Sequence, residues 1–304
     1  MKFPAAPKTD RIIEFTVPAE SEGTQLLAFL MEKLPDRKRT GLKQMLAHRQ
    51  VRVEGNVLTQ ATRALAAGEK VEVNLAREFQ EFYHRRLRIV HEDDDIIVVH
   101  KGYGLLSVAD DSEGKHTQET AYSILRDYLK KSHPDNLLFI VHRLDRDTSG
   151  LMLFAKSLRA KEALQFNWNN MVLERKYICV VEGTPEPAEG TVRSYLLENS
   201  RHEVYSRPDD SEGGKLAVTR YRTLASRGGY SLVECELDTG RKNQIRVHMK
   251  LLETPIAGDR RYGGHPSAAH RMCLHAQSLK FVHPVTRRAL SFTTPVPASF
   301  RYLL

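Results

Sequence analysis

Cysteine is scarce in this chain of 304 residues, where only Cys179, Cys235 and Cys273 occur, far apart. An odd number of widely spaced cysteines argues against a disulfide framework and indicates a reducing compartment with buried thiols. No run of about 18 apolar residues is present, so a membrane span is not expected. The segment Met1 to Lys8 lacks an apolar core of signal-peptide length, which favours a cytoplasmic protein.

Motifs for metal and nucleotide binding are also missing. The sequence has no Cys-x-x-Cys or His-Glu-x-x-His spacing, and its 13 histidines are scattered. The glycine-rich patterns Gly-x-x-x-x-Gly-Lys and Gly-x-Gly-x-x-Gly, which cradle phosphates, do not occur either. We therefore expect neither a metal ion nor a cofactor.

Basic residues outnumber acidic ones, giving a formal net charge of +8 and an isoelectric point near 9.3. Such a charge favours a polyanionic partner, most simply nucleic acid, although a basic surface can also serve solubility alone. Hydrophobic residues make up 41% of the chain, enough for a sizeable core. The length allows two domains.

The sequence divides into an N-terminal extension (1–21), a small domain (22–75), a linker (76–88) and a larger domain (89–304). In the small domain, apolar residues at helical spacing predict two helices, followed by short alternating strands. Basic residues lie between and along these helices, where they can follow a phosphate backbone or simply form a solvated face. They are Arg37, Lys38, Arg39, Lys43, Arg49 and Arg52.

The small domain resembles the RNA-binding domain first described in ribosomal protein S-four. The resemblance covers both helices, the element from Val51 to Val57 and the turn from Ala67 to Val71. That family usually has a small or hydroxyl residue and an arginine before the second helix, which Arg39-Thr40 matches only in part. The resemblance implies that this domain binds RNA.

A polar loop of nine residues, from His142 to Gly150, separates two apolar runs in the larger domain. It contains two carboxylates, two arginines, a histidine and two hydroxyls. Functional side chains tend to lie on loops held by rigid elements, so this loop is a candidate active site. The alternative is a charged surface hairpin whose Asp, Thr, Ser and Gly residues serve the turn.

Four motifs in order decide how this loop is interpreted. His142-Arg143-Leu144-Asp145-x-x-Thr148-Ser149-Gly150 is followed by Lys176-Tyr177, by Thr239-Gly240-Arg241-x-x-Gln244-Ile245-Arg246-Val247-His248, and by Leu274-His275-Ala276 with Phe281-x-His283-Pro284. Together they resemble the RluA-type pseudouridine synthases. Two departures are Asn243, where the family often has histidine, and Gly102, where it often has proline after the lysine.

The resemblance implies an α+β protein with the pseudouridine synthase fold, built on a central mixed and largely antiparallel β-sheet flanked by helices and loops. The sequence agrees, because its strands do not alternate regularly with crossover helices.

The resemblance also implies roles for individual residues. Asp145 is the nucleophile, and whether it attacks the sugar or the base stays open. Arg246 pairs with it, and a buried pair of this kind is expected to be bidentate. Tyr177 stacks on the target uracil; as a strand residue it can also be part of the core. Arg143 contacts or replaces the displaced base.

Further residues are assigned to the substrate or the loop. His142 is expected to shape the loop or to touch RNA, and it also remains a candidate general base. Lys176 is expected to bind the substrate. Asp147 is the rival carboxylate to Asp145. Thr148, Ser149 and Gly150 are interpreted as loop architecture.

The predicted function is therefore RNA pseudouridine formation by a cytoplasmic, monomeric enzyme. Large-subunit ribosomal RNA is the first expected substrate and transfer RNA the second. A carboxylate-based N-glycosidase is a competing hypothesis, although no second acid with a raised pKa accompanies Asp145 in the motif. A non-catalytic RNA-binding protein is another, and it would be expected to lack Asp145 or Arg246, both of which are present.

Overall fold

The computed structural model describes residues 11–76, 78–79, 82–109, 118–132 and 134–304. The chain forms two units. The first comprises the described residues up to Phe82 together with Ser132–Pro134, and the second comprises Tyr83–Lys131 and Asp135–Leu304. The first ten residues of the predicted N-terminal extension lie outside the described residues.

The first unit packs two helices on a four-stranded antiparallel sheet with strand order β1-β4-β2-β3. The sheet begins before residue 22, where the domain was predicted to start, because β1 pairs with β4 along its whole length. Alternating apolar residues of the strands and one face of each helix form a shared core. The elements are β1 Ile12–Thr16, α1 Leu26–Lys33, α2 Arg39–Ala47, β2 Val51–Val53, β3 Asn56–Val57 and β4 Lys70–Asn74.

The second unit is organised around one large sheet. Its strands are β5 Leu87–Glu92, β6 Ile96–Lys101, β7 Phe139–Ile140, β8 Ser149–Ala155, β9 Val172–Glu182, β10 Glu189–Glu198, β11 Val204–Arg207, β12 Lys215–Arg227, β13 Tyr230–Leu237, β14 Leu274–Val282 and β15 Ala289–Thr293. The strand order is β11-β10-β12-β13-β9-β14-β8-β6-β5, with β15 paired to β14 and β7 paired to β8. Strands β8 and β14 run parallel and the other pairs are antiparallel. The predicted α+β class with a mixed, largely antiparallel sheet is confirmed.

The helices of the second unit are α3 Ala121–Ser132, α4 Leu158–Phe166, α5 Trp168–Met171 and α6 Gln244–Leu251. Helices α4 and α5 are separate because Asn167, between them, leaves the helical conformation (φ −124°, ψ 27°). Cys179, Cys235 and Cys273 are all buried and free. Among the described residues, no helix has the length and apolar character needed to cross a membrane.

A single row of paired residues crosses the middle of the sheet. Ala276 on β14 pairs with Gly150 on β8 and with Tyr177 on β9, and Tyr177 pairs with Cys235 on β13. Neighbouring strands lie about 4.8 Å apart, so Tyr177 is two strand spacings from the start of β8. This register brings the loop before β8 and the middle of β9 to the same part of the sheet.

Gly150 permits the parallel contact in this row. It has φ 120°, and a Cβ built there would lie 2.1 Å from the carbonyl oxygen of Ala276. A side chain at this position would therefore have to push β8 away from β14.

We expect Gly150→Ala to lower the free energy of unfolding by more than about 3 kcal/mol, because it combines a backbone clash with an unfavourable φ. The matched control is Gly213→Ala, where φ is also positive (75°) but no atom lies within 4 Å of the added Cβ. That control should lose only about 1–2 kcal/mol. Urea unfolding of both variants measures the difference, and equal losses would contradict a role for the close strand contact.

Candidate active site

The loop between β7 and β8 places Asp145 just before the central parallel strand pair. Ser107 fixes the loop by binding both backbone groups of Leu144. Its hydroxyl donates to the Leu144 carbonyl oxygen at 2.6 Å and accepts a hydrogen bond from the Leu144 amide at 3.1 Å. The amide of Thr148 donates to the carbonyl oxygen of Asp145. The Asp145 side chain keeps 26% exposure, so its carboxylate is held in place and still reachable.

Lys101 supports the same loop from inside the protein. Its Nζ donates to the carbonyl oxygens of Leu105 at 2.8 Å, Gly102 at 3.1 Å and Arg146 at 3.1 Å. The side chain is fully buried, and burial lowers the pKa of Lys101 to about 7 against the opposing charges of Asp145 and Asp147. Lys101 stands at the end of β6, next to the Gly102 departure, and was not among the predicted site residues.

Arg246 reaches Asp145 from the first turn of α6. Its Nη1 lies 3.4 Å from Oδ2 of Asp145, a long contact made by one nitrogen. The bidentate partner of Arg246 is instead Asp259, which accepts Nε at 2.6 Å and Nη2 at 2.7 Å. The prediction that Arg246 forms a bidentate pair with Asp145 is therefore wrong. Burial acts to lower the pKa of Arg246, but the bonds and charge of Asp259 and the charge of Asp145 raise it.

Asn243 precedes α6 in the left-handed conformation, with φ 54°. Asparagine tolerates this region better than most residues, which suits it to the position. Its Oδ1 accepts Nη1 of Arg246 at 2.9 Å, and its Nδ2 donates to the hydroxyl of Tyr262 at 2.9 Å. This departure from the family pattern thus helps to hold the arginine.

Tyr177 lies in the middle of β9 and lines the site beside Asp145. Burial raises the pKa of Tyr177 to about 12, so the phenol is neutral at physiological pH. Alternation along the strand puts Arg175 on the same face as Tyr177, whereas Lys176 lies on the opposite face. There Lys176 pairs with Glu174 at 3.6 Å and Glu234 at 4.0 Å. The structure therefore brings Arg175, and not Lys176, to the side of the sheet that carries Tyr177.

His142 has a structural environment. Its Nε2 accepts the amide of Leu153 at 2.8 Å, and its ring centroid lies 5.1 Å from that of Trp168. Burial, followed by the positive charge of Arg175, lowers the pKa of His142 to about 3. A neutral ring whose acceptor nitrogen is already engaged is poorly suited to act as a general base. The interpretation of His142 as a residue that shapes the loop fits this geometry.

A cavity of about 710 Å³ opens beside Asp145, and a recess of about 60 Å³ adjoins it. Asp145, Arg143 and Arg246 line both spaces, and Tyr177 lines the recess. Cations outnumber carboxylates around the larger cavity. The cations are Arg143, Arg146, Lys242, Arg246, Arg260 and Arg261, and the carboxylates are Asp145, Asp147 and Asp259. This charge distribution suits a nucleic-acid strand that presents one nucleotide to Asp145.

The predicted RNA-binding residues of the first unit divide into two groups. Arg37, Lys38, Arg39, Lys43 and Arg49 are exposed on or next to α2. Arg52 is half-buried, with Nε and Nη2 bound to Glu72 at 2.6 and 2.9 Å and its guanidinium 4.4 Å from the Phe79 ring centroid. The arrangement of Arg52 is that of a structural ion pair. Within the described ranges, no group of three or more His, Cys, Asp or Glu side chains is placed to hold a metal ion.

The buried Lys101 gives a pH dependence of stability. Between pH 7 and 10.5 the unfolded chain retains the lysine proton that the folded chain has released, so the free energy of unfolding rises with pH. The slope from this group is at most about 1.4 kcal/mol per pH unit. The free energy of unfolding of the wild type minus that of Lys101→Met, measured by urea unfolding from pH 7 to 10, should show this rise. Lys280→Met, at an exposed position, should give a flat difference; a flat difference for Lys101→Met as well would refute the assignment.

Comparison with known proteins identifies the chemistry. The family model described as RNA pseudouridylate synthase matches residues 95–251, a segment that contains Asp145, Tyr177 and Arg246. A Neisseria meningitidis serogroup A protein named ribosomal large subunit pseudouridine synthase D is 34% identical, over 99% of this chain and 83% of that protein. A Vibrio cholerae protein of the same name is 33% identical, over 93% of this chain and 90% of that protein.

A solved structure agrees with these relatives. The human RNA pseudouridylate synthase domain containing 4 protein superposes with a TM-score of 0.57 and 26% identity, over 70% of this chain and 90% of that one. The N-glycosidase and the non-catalytic RNA-binding protein are therefore set aside. The chain belongs to the RNA pseudouridylate synthase family and is an isomerase that converts uridine in RNA to pseudouridine.

Proposed function

We propose that Asp145 is the nucleophile of this reaction. The observation that supports it most strongly is its position: the carboxylate lies where the large cavity meets the recess, with one arginine nitrogen beside it. Asp147, the rival carboxylate, lines only the larger cavity and interacts with Arg146 at 3.3 Å.

The reaction conserves all atoms except for an exchange of protons. The Asp145 carboxylate attacks either C1′ of the ribose or C6 of the uracil, and the bond between N1 and C1′ breaks. The base turns and joins C1′ through C5, N1 takes up a proton, C5 loses its own, and the carboxylate is released. Arg246 orients Asp145, while the neutral Tyr177 ring offers a face against which the detached base can stack.

The target nucleotide must leave the RNA stack to reach Asp145, at a cost of about a few kcal/mol. Arg143 suits the vacated position, because it is exposed at the mouth of both spaces and has no ion-pair partner among the described residues. A planar guanidinium can stack on the neighbouring bases and offset part of this cost.

Asp145→Asn should reduce pseudouridine formation at least about 1,000-fold, since an amide cannot form the covalent intermediate. Affinity for RNA should stay within about threefold, because the phosphate contacts that dominate such affinity are made by cations and not by a carboxylate. Tritium release from RNA labelled at C5 of uridine measures the reaction, and filter binding measures affinity. Asp147→Asn is the matched control and should retain activity within about threefold; the opposite ranking of the two variants would transfer the role to Asp147.

We propose large-subunit ribosomal RNA as the substrate, because both bacterial relatives described above carry that substrate in their names. Deleting the gene should remove pseudouridines from large-subunit ribosomal RNA and leave those of transfer RNA in place. Mapping pseudouridines across total RNA of the deletion strain, with complementation by wild type and by Asp145→Asn, is the measurement. Loss confined to transfer RNA would show that the second expected substrate is the correct one.

We also propose that the first unit is the S-four-like RNA-binding domain, and that the enzyme acts as a monomer in the cytoplasm. The exposed cations on α2 support RNA binding, whereas Arg52 is held by Glu72. The salt dependence of RNA affinity tests this difference between the exposed cations and Arg52. Replacing Lys38 or Lys43 by Gln should reduce the slope of log affinity against log salt concentration by the equivalent of about one phosphate contact each, and Arg52→Gln should leave that slope unchanged.

A further inference from the structure

The side chain of Asp259 is the most buried of the three carboxylates at the cavity. It is 1% exposed, against 26% for Asp145. Both of its oxygens bind Arg246, and they occupy the Nε–Nη2 edge of the guanidinium. A guanidinium is planar and presents its donors in fixed directions, so binding one edge determines where the remaining nitrogen points. That nitrogen, Nη1, faces Asp145 and Asn243.

This arrangement leaves the Asp145 carboxylate lightly held. A carboxylate in a bidentate arginine pair accepts two strong, charge-assisted hydrogen bonds, which must weaken before it can form a covalent bond. Asp145 has a single contact with Arg246, at 3.4 Å. It therefore keeps a nearby cation for orientation, and it retains lone pairs for the substrate.

We propose that Asp259 is a positioning residue that holds Arg246 away from a bidentate pair with Asp145. The proposal rests on the proposed role of Asp145 as the nucleophile. Asp259 acts only through Arg246; it need not touch the substrate or the reacting atoms.

Backbone hydrogen bonds fix the turn that carries Asp259. The amide of Asp259 donates to the carbonyl oxygen of Ile256 at 2.9 Å, and its own carbonyl oxygen accepts the amides of Tyr262 and Gly264 at 3.1 and 2.9 Å. Gly258 begins the turn with φ 82°, and a Cβ there would lie 2.2 Å from the carbonyl oxygen of Arg271.

Tyr262, on the same turn, completes the support. The guanidinium carbon of Arg246 lies 4.7 Å from the centroid of the Tyr262 ring, a cation–π distance. The turn therefore fixes the face of Arg246 with one side chain and its edge with another.

A double-mutant cycle tests whether Asp259 works through Arg246. Asp259→Asn should lower kcat about 100-fold with KM changed less than about threefold, because a displaced Arg246 misplaces the nucleophile and leaves RNA binding intact. Arg246→Lys removes the guanidinium edge, Nε and Nη2, that Asp259 binds. In the Arg246→Lys background, Asp259→Asn should therefore cost less than about threefold. Single-turnover tritium release with excess enzyme provides the rates.

Ser194→Ala controls for a loss of buried hydrogen bonding that does not involve Arg246. The Ser194 hydroxyl bonds Nε2 of His248 at 3.1 Å, on another part of α6. This variant should lower the melting temperature and leave kcat unchanged. Asp259→Glu keeps the charge and should retain more activity than Asp259→Asn. It also replaces Asp259→Asn in the double-mutant cycle if Asp259→Asn fails to fold.

The outcomes separate this inference from the proposed function. Equal losses from Asp259→Asn in the wild-type and Arg246→Lys backgrounds, or wild-type kcat in Asp259→Asn, would overturn the positioning role while leaving Asp145 as the nucleophile. An active Asp145→Asn enzyme would instead overturn the proposed function on which the inference rests.

Discussion

The close parallel contact between β8 and β14 is the constraint on which the geometry of the site depends. Without a side chain at Gly150, the backbone of β8 approaches Ala276, and Ala276 is itself paired with Tyr177 on β9. The loop that carries Asp145 enters β8 immediately before this point. The distance from Asp145 to the Tyr177 ring is therefore set by the spacing of hydrogen-bonded strands, which is among the least variable dimensions in a protein.

The site also depends on the balance of its charges, and its charged groups differ in how deeply they are buried. Lys101 lies inside, bound only to carbonyl oxygens, and Asp259 is buried against Arg246. Asp145 is the more exposed member of this set. Buried charges are costly unless they are paired, so each inner group is matched by charge or by hydrogen bonds, and the proposed nucleophile Asp145 lines the cavity.

The sequence was sufficient for features that depend on local pattern. Apolar residues at helical spacing predicted α1 and α2, and the alternating residues after them predicted short strands, which the structure shows as β2, β3 and β4. The approach of Asp145 to Arg246, 101 residues later, was expected only from the resemblance to a family. Lys176 was assigned to the substrate, although strand alternation alone would have favoured Arg175. Asp259 could not be predicted, because its pairing with Arg246 depends on a tertiary turn that has no periodic signature.

The packing of Trp168 has a practical consequence for studies in solution. It is the one tryptophan of the chain, and its ring contacts His142, the residue that begins the active-site loop, with Arg175 on another side. The indole is thus a natural fluorophore placed at the base of that loop. Emission excited selectively at the indole reports on this neighbourhood with no contribution from a second tryptophan. A change in the packing of His142 or Arg175 against this ring would alter the emission, with no label attached to protein or RNA.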